Sequence, residues 1–101
     1  MTRLYWTTEA SDDLAAIFAY IAQDSEHYAR LTIRELIAEA ARLNAFPEIG
    51  RVVPELDRMD VREVIWRSYR LVYQYLATPN EIRVLTVFRA ERLFQIPTSL
   101  G

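Results

Sequence analysis

FPEIGRVVPELDRMDVREVIWRSYRLVY, residues 46–73, is where this chain changes character. The sequence before it has the spacing of helices, and the sequence after it has the alternation of strands. The stretch holds Pro47, Gly50 and Pro54 in its first nine residues, and five of the twelve arginines: Arg51, Arg58, Arg62, Arg67 and Arg70. Proline and glycine interrupt any regular period, so residues 46–58 read as a loop. A loop of that length in a small domain points to function. From Met59 the pattern alternates, with Val61, Glu63 and Ile65 set against Arg62, Val64 and Trp66. That is a strand. Arg67-Ser68 is a tight turn, and Tyr69 to Leu76 (YRLVYQYL) is a second strand rich in β-branched and aromatic residues.

Downstream, Thr78-Pro79-Asn80-Glu81 reads as another turn, and Ile82 to Phe88 (IRVLTVF) as a third strand. Short turns force antiparallel neighbours, so residues 59–88 are expected to form a three-stranded antiparallel meander. Residues 89–101 are expected either to make one helical turn or to run along a sheet edge.

Upstream, two segments repeat with helical spacing. Ala10, Leu14, Ile17, Phe18 and Ile21 make one apolar face, and Ala29, Ile33, Leu36, Ile37, Ala40 and Leu43 make another. Thr8 is the expected N-cap of the first helix. Glu9, Asp12 and Asp13 are explained by the helix dipole, which favours carboxylates in the first turn. The second helix is expected to start near Ser25 and to end by Asn44, since Pro47 blocks continuation. The short polar connection makes a helical hairpin, with His27 as a solvated turn residue. Arg3 to Trp6 is a short strand candidate. The whole reads as one α+β domain spanning residues 1–101: a strand, two helices packed on one sheet face, and the meander.

Composition narrows the function. The 101 residues contain no cysteine and one histidine, which excludes disulfides and thiolate zinc sites and disfavours a histidine-based metal site or Ser-His triad. There is no glycine-rich phosphate loop and no carboxylate set with metal-ligand spacing, so no cofactor and no metal are expected. No apolar run approaches the roughly 20 residues of a membrane span, and the N-terminus lacks the pattern of a signal peptide. A cytoplasmic protein is expected. All twelve basic residues are arginine. Residues 1–50 carry four arginines and eight acids, a balance of −4; residues 51–101 carry eight arginines and six acids, a balance of +2. The second half therefore presents cations on an acidic background. Arginine makes planar, bidentate contacts to carboxylates and phosphates. The bland account of each one is a surface ion pair with a nearby acid.

In order along the chain, the pieces Ala10-x-x-Asp13-Leu14-x-x-Ile17-x-x-Tyr20-Ile21, Leu43-x-x-Phe46-Pro47-x-x-Gly50-Arg51-x-x-Pro54-Glu55, Arg62-Glu63, Tyr69-Arg70-Leu71-Val72-Tyr73 and Val84-Leu85-x-Val87 resemble the ParE/RelE-type toxins of bacterial type II toxin–antitoxin systems. The resemblance covers about residues 3 to 94. It implies a toxin held inactive, in a hetero-oligomer, by a cognate antitoxin. In the ParE branch the implied target is DNA gyrase, reached by protein binding alone. In the RelE branch the implied activity is ribosome-dependent cleavage of messenger RNA, and only there would nucleic acid be a partner.

This chain departs from the ribonuclease pattern. It has no lysine, no Tyr or His after Tyr75, and Phe88-Arg89-Ala90-Glu91-Arg92 where many relatives carry a histidine after the strand. Acid–base cleavage needs a group that exchanges protons near neutral pH, and arginine does not. Glu55 and Glu63 are read as ion-pair partners of Arg51 and Arg62. The ParE branch is therefore favoured and no catalytic residue is assigned; a toxin-like binding module without toxicity is a further alternative. Arg51, Trp66, Arg67, Arg70, Arg89, Arg92, Leu93 and Phe94 are the expected contacts to target or antitoxin.

Overall fold

The computed structural model describes residues 2–100 and orders them as β1 (Arg3–Trp6), α1 (Thr8–Ala22), α2 (Glu26–Arg42), β2 (Arg51–Val52), β3 (Val61–Trp66), β4 (Tyr69–Leu76), β5 (Glu81–Arg89) and a 3₁₀ turn (Thr98–Leu100). The strands form one sheet in the order β1-β5-β4-β3-β2. The meander β3-β4-β5 is antiparallel as expected. β1 adds to its far side in parallel with β5, which makes the sheet mixed. A parallel neighbour needs a crossover, and the helical hairpin supplies it. No helix among the described residues is long and apolar enough to cross a membrane.

The expected loop 46–58 contains a short strand. Arg51 and Val52 pair with Glu63 and Arg62, extending the sheet beyond the meander. Two residues are too few to show alternation, which is why the sequence concealed them. Gly50 makes this approach feasible. A Cβ there would lie 2.6 Å from the Glu63 carbonyl oxygen and 2.7 Å from the Tyr73 hydroxyl. The Gly50 N–H donates to that hydroxyl at 3.0 Å, and the hydroxyl donates to the Pro47 carbonyl at 2.8 Å. Burial pushes the Tyr73 phenol up, so it stays a neutral donor. Tyr73→Phe removes both bonds and strands a buried amide. A loss of about 1–3 kcal/mol is expected by chemical denaturation.

The sheet has two covered faces. On one, Leu36 and Ala40 of α2, its C-cap Leu43, and Ala10 of α1 pack on Leu71, Tyr73, Ile82, Val84 and Val87. On the other, Val53, Val61, Val72 and Leu85 are covered by Leu56, Phe88, Phe94 and Leu100. The C-terminal segment thus packs on the face opposite the helices, in addition to forming a turn.

The start of α1 differs from expectation. Thr7, not Thr8, is the N-cap, with its side chain accepting from Ala10 N. The same hydroxyl donates to the Val84 and Leu85 carbonyls, so one residue ends β1, caps α1 and binds β5. Two of the three acids have partners beyond the dipole. Asp13 Oδ2 accepts from Thr86 Oγ1 at 2.6 Å and from Val87 N at 3.0 Å. Glu9 Oε1 accepts from Thr98 N and Oγ1. Asp13 therefore satisfies a β5 amide beyond the end of β1 and fixes α1 along the strand.

Candidate functional site

The register settles how the arginines face. β3 and β4 are joined at Trp66↔Tyr69 and β4 and β5 at Tyr69↔Arg89, so the turn at Arg67 and the end of β5 meet at one end of the sheet. Ala90 N donates to the Ser68 carbonyl and closes that end. α1 runs over β5 until Tyr20 stands above it. Between them lies a groove of about 590 Å³ lined by Asp13, Ala16, Ile17, Tyr20, Tyr69, Val87, Phe88, Arg89, Glu91 and Arg92.

Of the expected contact residues, Trp66, Arg67, Arg89 and Arg92 gather at this end. Trp66 stacks on Tyr69 with ring centroids 6.3 Å apart. Arg67 holds its guanidinium 5.0 Å from the Trp66 ring centroid, a cation–π distance. Its backbone φ of 52° keeps the turn tight and the side chain outside the sheet. Arg89 pairs with the exposed Glu91 carboxylate, which is held below its usual range by its own backbone N–H and by Arg89. Arg67 and Arg92 have no carboxylate partner among the described residues. Leu93 projects beside them, 91% exposed.

Arg51, Arg70 and Phe94 lie on the opposite face, and two of them are turned inward. Arg70 is 7% exposed. Its Nε donates to Glu63 Oε1 at 2.6 Å, and its two terminal nitrogens form a fork to Glu55 at 3.0 and 2.8 Å. The guanidinium also sits 5.2 Å from the Phe88 ring centroid and 5.5 Å from that of Phe94. Glu63, whose side chain is fully buried, accepts from Arg51 Nε through its other oxygen at 2.6 Å. The four side chains form one chain of alternating charge, Glu55–Arg70–Glu63–Arg51, with only its ends in solvent.

In this structure Arg70 is buried and Phe94 half-buried, so neither is displayed as openly as the residues at the sheet end. The C-terminal segment lays Phe94 over Arg70, and Arg70 is engaged by two carboxylates. The structure corrects the pairing of the acids. Glu63 serves Arg51 and Arg70, whereas Arg62 donates to the Gly50 carbonyl and lies near Glu48. A second depression, about 270 Å³, lies between the end of α2 and β3, but its cations Arg42 and Arg51 are already paired with Glu39 and Glu63.

The network ties stability to acid pH. The Arg70 guanidinium donates to Glu55 and holds its carboxyl below 4.5. Gln74 and then Arg58 hold Asp60 below 3.8. Both pKa values are depressed in the folded state. Their stabilisation is complete above the unfolded values and is lost as pH falls through the lower folded ones. The melting temperature is expected to be flat from neutral pH to about 5 and to fall below 4.5. A profile that falls between pH 8 and 6 instead would contradict this assignment.

The groove-lining residues Ala16, Ile17, Tyr20 and Tyr69 were not among the expected contacts. Their signal was present in the sequence. Asp13, Ala16 or Ile17, and Tyr20 recur at three- and four-residue steps, a second row beside the main apolar stripe of α1.

Comparison with known proteins agrees with this fold. A family model described as the ParE toxin of the type II toxin–antitoxin system parDE matches residues 4–94. No curated protein sequence matches. Among solved structures, the chromosomal ParDE toxin–antitoxin system of P. aeruginosa superposes with a TM-score of 0.74 at 22% identity, covering 90% of this chain and 98% of that one. The isolated RelE toxin of E. coli gives 0.67 at 20% identity, covering 92% and 88%. The E. coli RelBE complex gives 0.66 at 21% identity, covering 91% and 100%.

Proposed function

This chain belongs to the ParE toxin family of type II toxin–antitoxin systems, and we propose that it inhibits DNA gyrase by protein binding, without catalysis of its own, and is neutralised by a cognate antitoxin. The surface we assign to these contacts is the sheet end, with Trp66, Arg67, Arg89, Arg92 and Leu93, while Arg51 marks the far edge. Its action belongs in the cytoplasm, where gyrase works.

The observation that carries this reading is the closed chain Glu55–Arg70–Glu63–Arg51. Glu55 and Glu63 are the two carboxylates beside the sheet arginines that would serve as a base for RNA cleavage, and both are engaged by guanidinium groups. Arg70 stays charged throughout, its proton held more firmly by Glu55 and Glu63 despite burial. An arginine stabilises phosphate charge but does not shuttle protons. At the sheet end, by contrast, aromatic rings and unpaired cations supply what protein contacts use: large, stiff side chains and arginine.

A second reading, RelE-like cleavage of messenger RNA on the ribosome, draws on the Tyr20 and Tyr69 phenols beside Arg89 in the groove. One experiment separates the two. Induction of the protein alone in bacteria is expected to stop growth with DNA-damage signalling and intact transcripts. Cut transcripts with normal DNA replication would favour cleavage and contradict gyrase inhibition.

A further inference from the structure

The two edges of the sheet are finished differently. β2 closes one edge with two paired residues lying between Pro47 and Pro54, a short strand flanked by residues that cannot extend a ladder. β1 closes the other with four residues, without proline and without a register shift, and no strand pairs with its outer side. Arg3 N–H donates to the Asn80 carbonyl and Thr7 N–H to the Val84 carbonyl. Successive residues of a strand alternate in direction, so Arg3 and Tyr5 bond inward to β5, while the N–H and C=O of Leu4 and Trp6 point out of the sheet. Among the described residues nothing bonds to those outward groups. α1 packs over β5 and not over β1, which leaves the edge open from the helix side. Leu4 and Trp6 are half-buried against the core, and Tyr5, on the other face, is 40% exposed. The Arg3 guanidinium stands 5.4 Å from the Tyr5 ring centroid and has no carboxylate partner among the described residues; the adjoining Glu81 is taken by Arg83.

We propose that the β1 edge is a seam between two copies of this chain: β1 pairs antiparallel with β1 of a second copy about a two-fold axis at Leu4, and the two five-stranded sheets run on as one. The register selects a second copy as the occupant. With Leu4 on the axis, Leu4 exchanges both backbone bonds with its own counterpart, and Trp6 does so with Thr2. Arg3 falls opposite Tyr5, so each guanidinium meets the ring of the other copy, once on either side of the axis. The edge thus carries both halves of the contact in its own sequence, a cation without an acid and a ring open to solvent, and an isologous interface requires such self-complementarity. β1 pairs with the first half of β5, so the sheet end at Arg89 stays free in both copies, and the antiparallel seam points the two sheet ends in opposite directions. A four-residue seam is smaller than a standard interface, so dimerisation is expected at micromolar and not nanomolar concentration.

The test is sedimentation equilibrium of the purified chain, with hydrogen exchange read at the Leu4 and Trp6 amides. A monomer–dimer equilibrium is expected, and both amides, which face solvent in the monomer, are expected to slow as concentration rises. Tyr5→Arg sets a cation opposite Arg3 and is expected to weaken the dimer about tenfold, since the like-charge pair occurs twice. Tyr5→Glu sets a carboxylate there and is expected to tighten it, both differences shrinking at high salt. An effect on the fold alone would not change sign with the charge. Leu4→Pro removes an outward donor that the monomer does not use and is expected to abolish the dimer, with circular dichroism reporting a folded chain. A chain that stays monomeric up to millimolar concentration would overturn the seam. So would a dimer that Tyr5→Arg and Leu4→Pro leave intact, or one in which the Leu4 and Trp6 amides exchange as fast as in the monomer. Slowing of these amides only when an extended segment of another protein is added would give the edge to that partner and overturn self-pairing.

Discussion

The Arg70→Ala protein is expected to lose about 3–5 kcal/mol of folding stability, a large share of what a domain of this size has. The Glu63 side chain is wholly shielded from solvent, and Arg70 is one of its two counter-ions. Without Arg70, Glu63 is left with Arg51, whose side chain is 60% exposed and which returns less attraction through solvent. Glu55 loses its fork, and Phe88 and Phe94 lose the cation between their rings. The C-terminal segment then loosens from its face of the sheet. Arg70→Lys is expected to recover only part of the loss, because one ammonium cannot match two carboxylates from a planar fork. Arg70→Met combined with Glu63→Met is expected to recover more, since removing a buried pair together costs less than orphaning one member. Urea denaturation measures all four proteins. A loss for Arg70→Ala under roughly 1 kcal/mol, the range of exposed pairs, would show that the network does not hold this face together.

The sheet end is expected to behave in the opposite way. Arg67→Glu, Arg89→Glu and Arg92→Glu together should abolish growth arrest and weaken target binding by on the order of 100-fold or more, since several arginines at one interface are reversed at once. The melting temperature should shift little. None of the three side chains is buried, and the pair they break, Arg89–Glu91, is an exposed one of small worth. A triple variant that still arrests growth would remove these cations from the interface. One that unfolds would give them a structural role.

The contrast between the two arginine groups shows what the sequence discloses and what it withholds. The alternation of β3 was visible, as were the β-branched and aromatic runs of β4 and β5, both turns, the helical hairpin and the start of its second helix near Ser25. The parity that separates Arg70 from Tyr69 was visible too. What covers the face holding Arg70 was not, because Phe94 lies outside any periodic segment and reaches the sheet through irregular backbone. Glu63 shares a parity with Val61 and Ile65, and that pattern alone does not show its ion pairs, which depend on β2 bringing Arg51 opposite it. β2 is two residues long and depends on Gly50, so no pattern announces it. At the sheet end, Trp66, Arg67, Arg89 and Arg92 were identifiable as residue types, but their meeting depends on register. The contribution of α1 through Ala16 and Tyr20 depends on how Asp13 pins that helix to β5. Local pattern thus gave the elements, while long-range hydrogen bonds decided which arginines are interior and which stay exposed at the sheet end.

The most direct test of the central claim, a toxin that binds its target through the sheet end and does no chemistry, is a supercoiling assay with purified gyrase. Wild-type protein is expected to inhibit supercoiling in a dose-dependent way, the Arg67/Arg89/Arg92 charge-reversed protein to leave it untouched, and excess antitoxin to restore activity. Full gyrase activity at saturating wild-type toxin, with messenger RNA cleaved when the same preparation is added to translating ribosomes, would contradict the account.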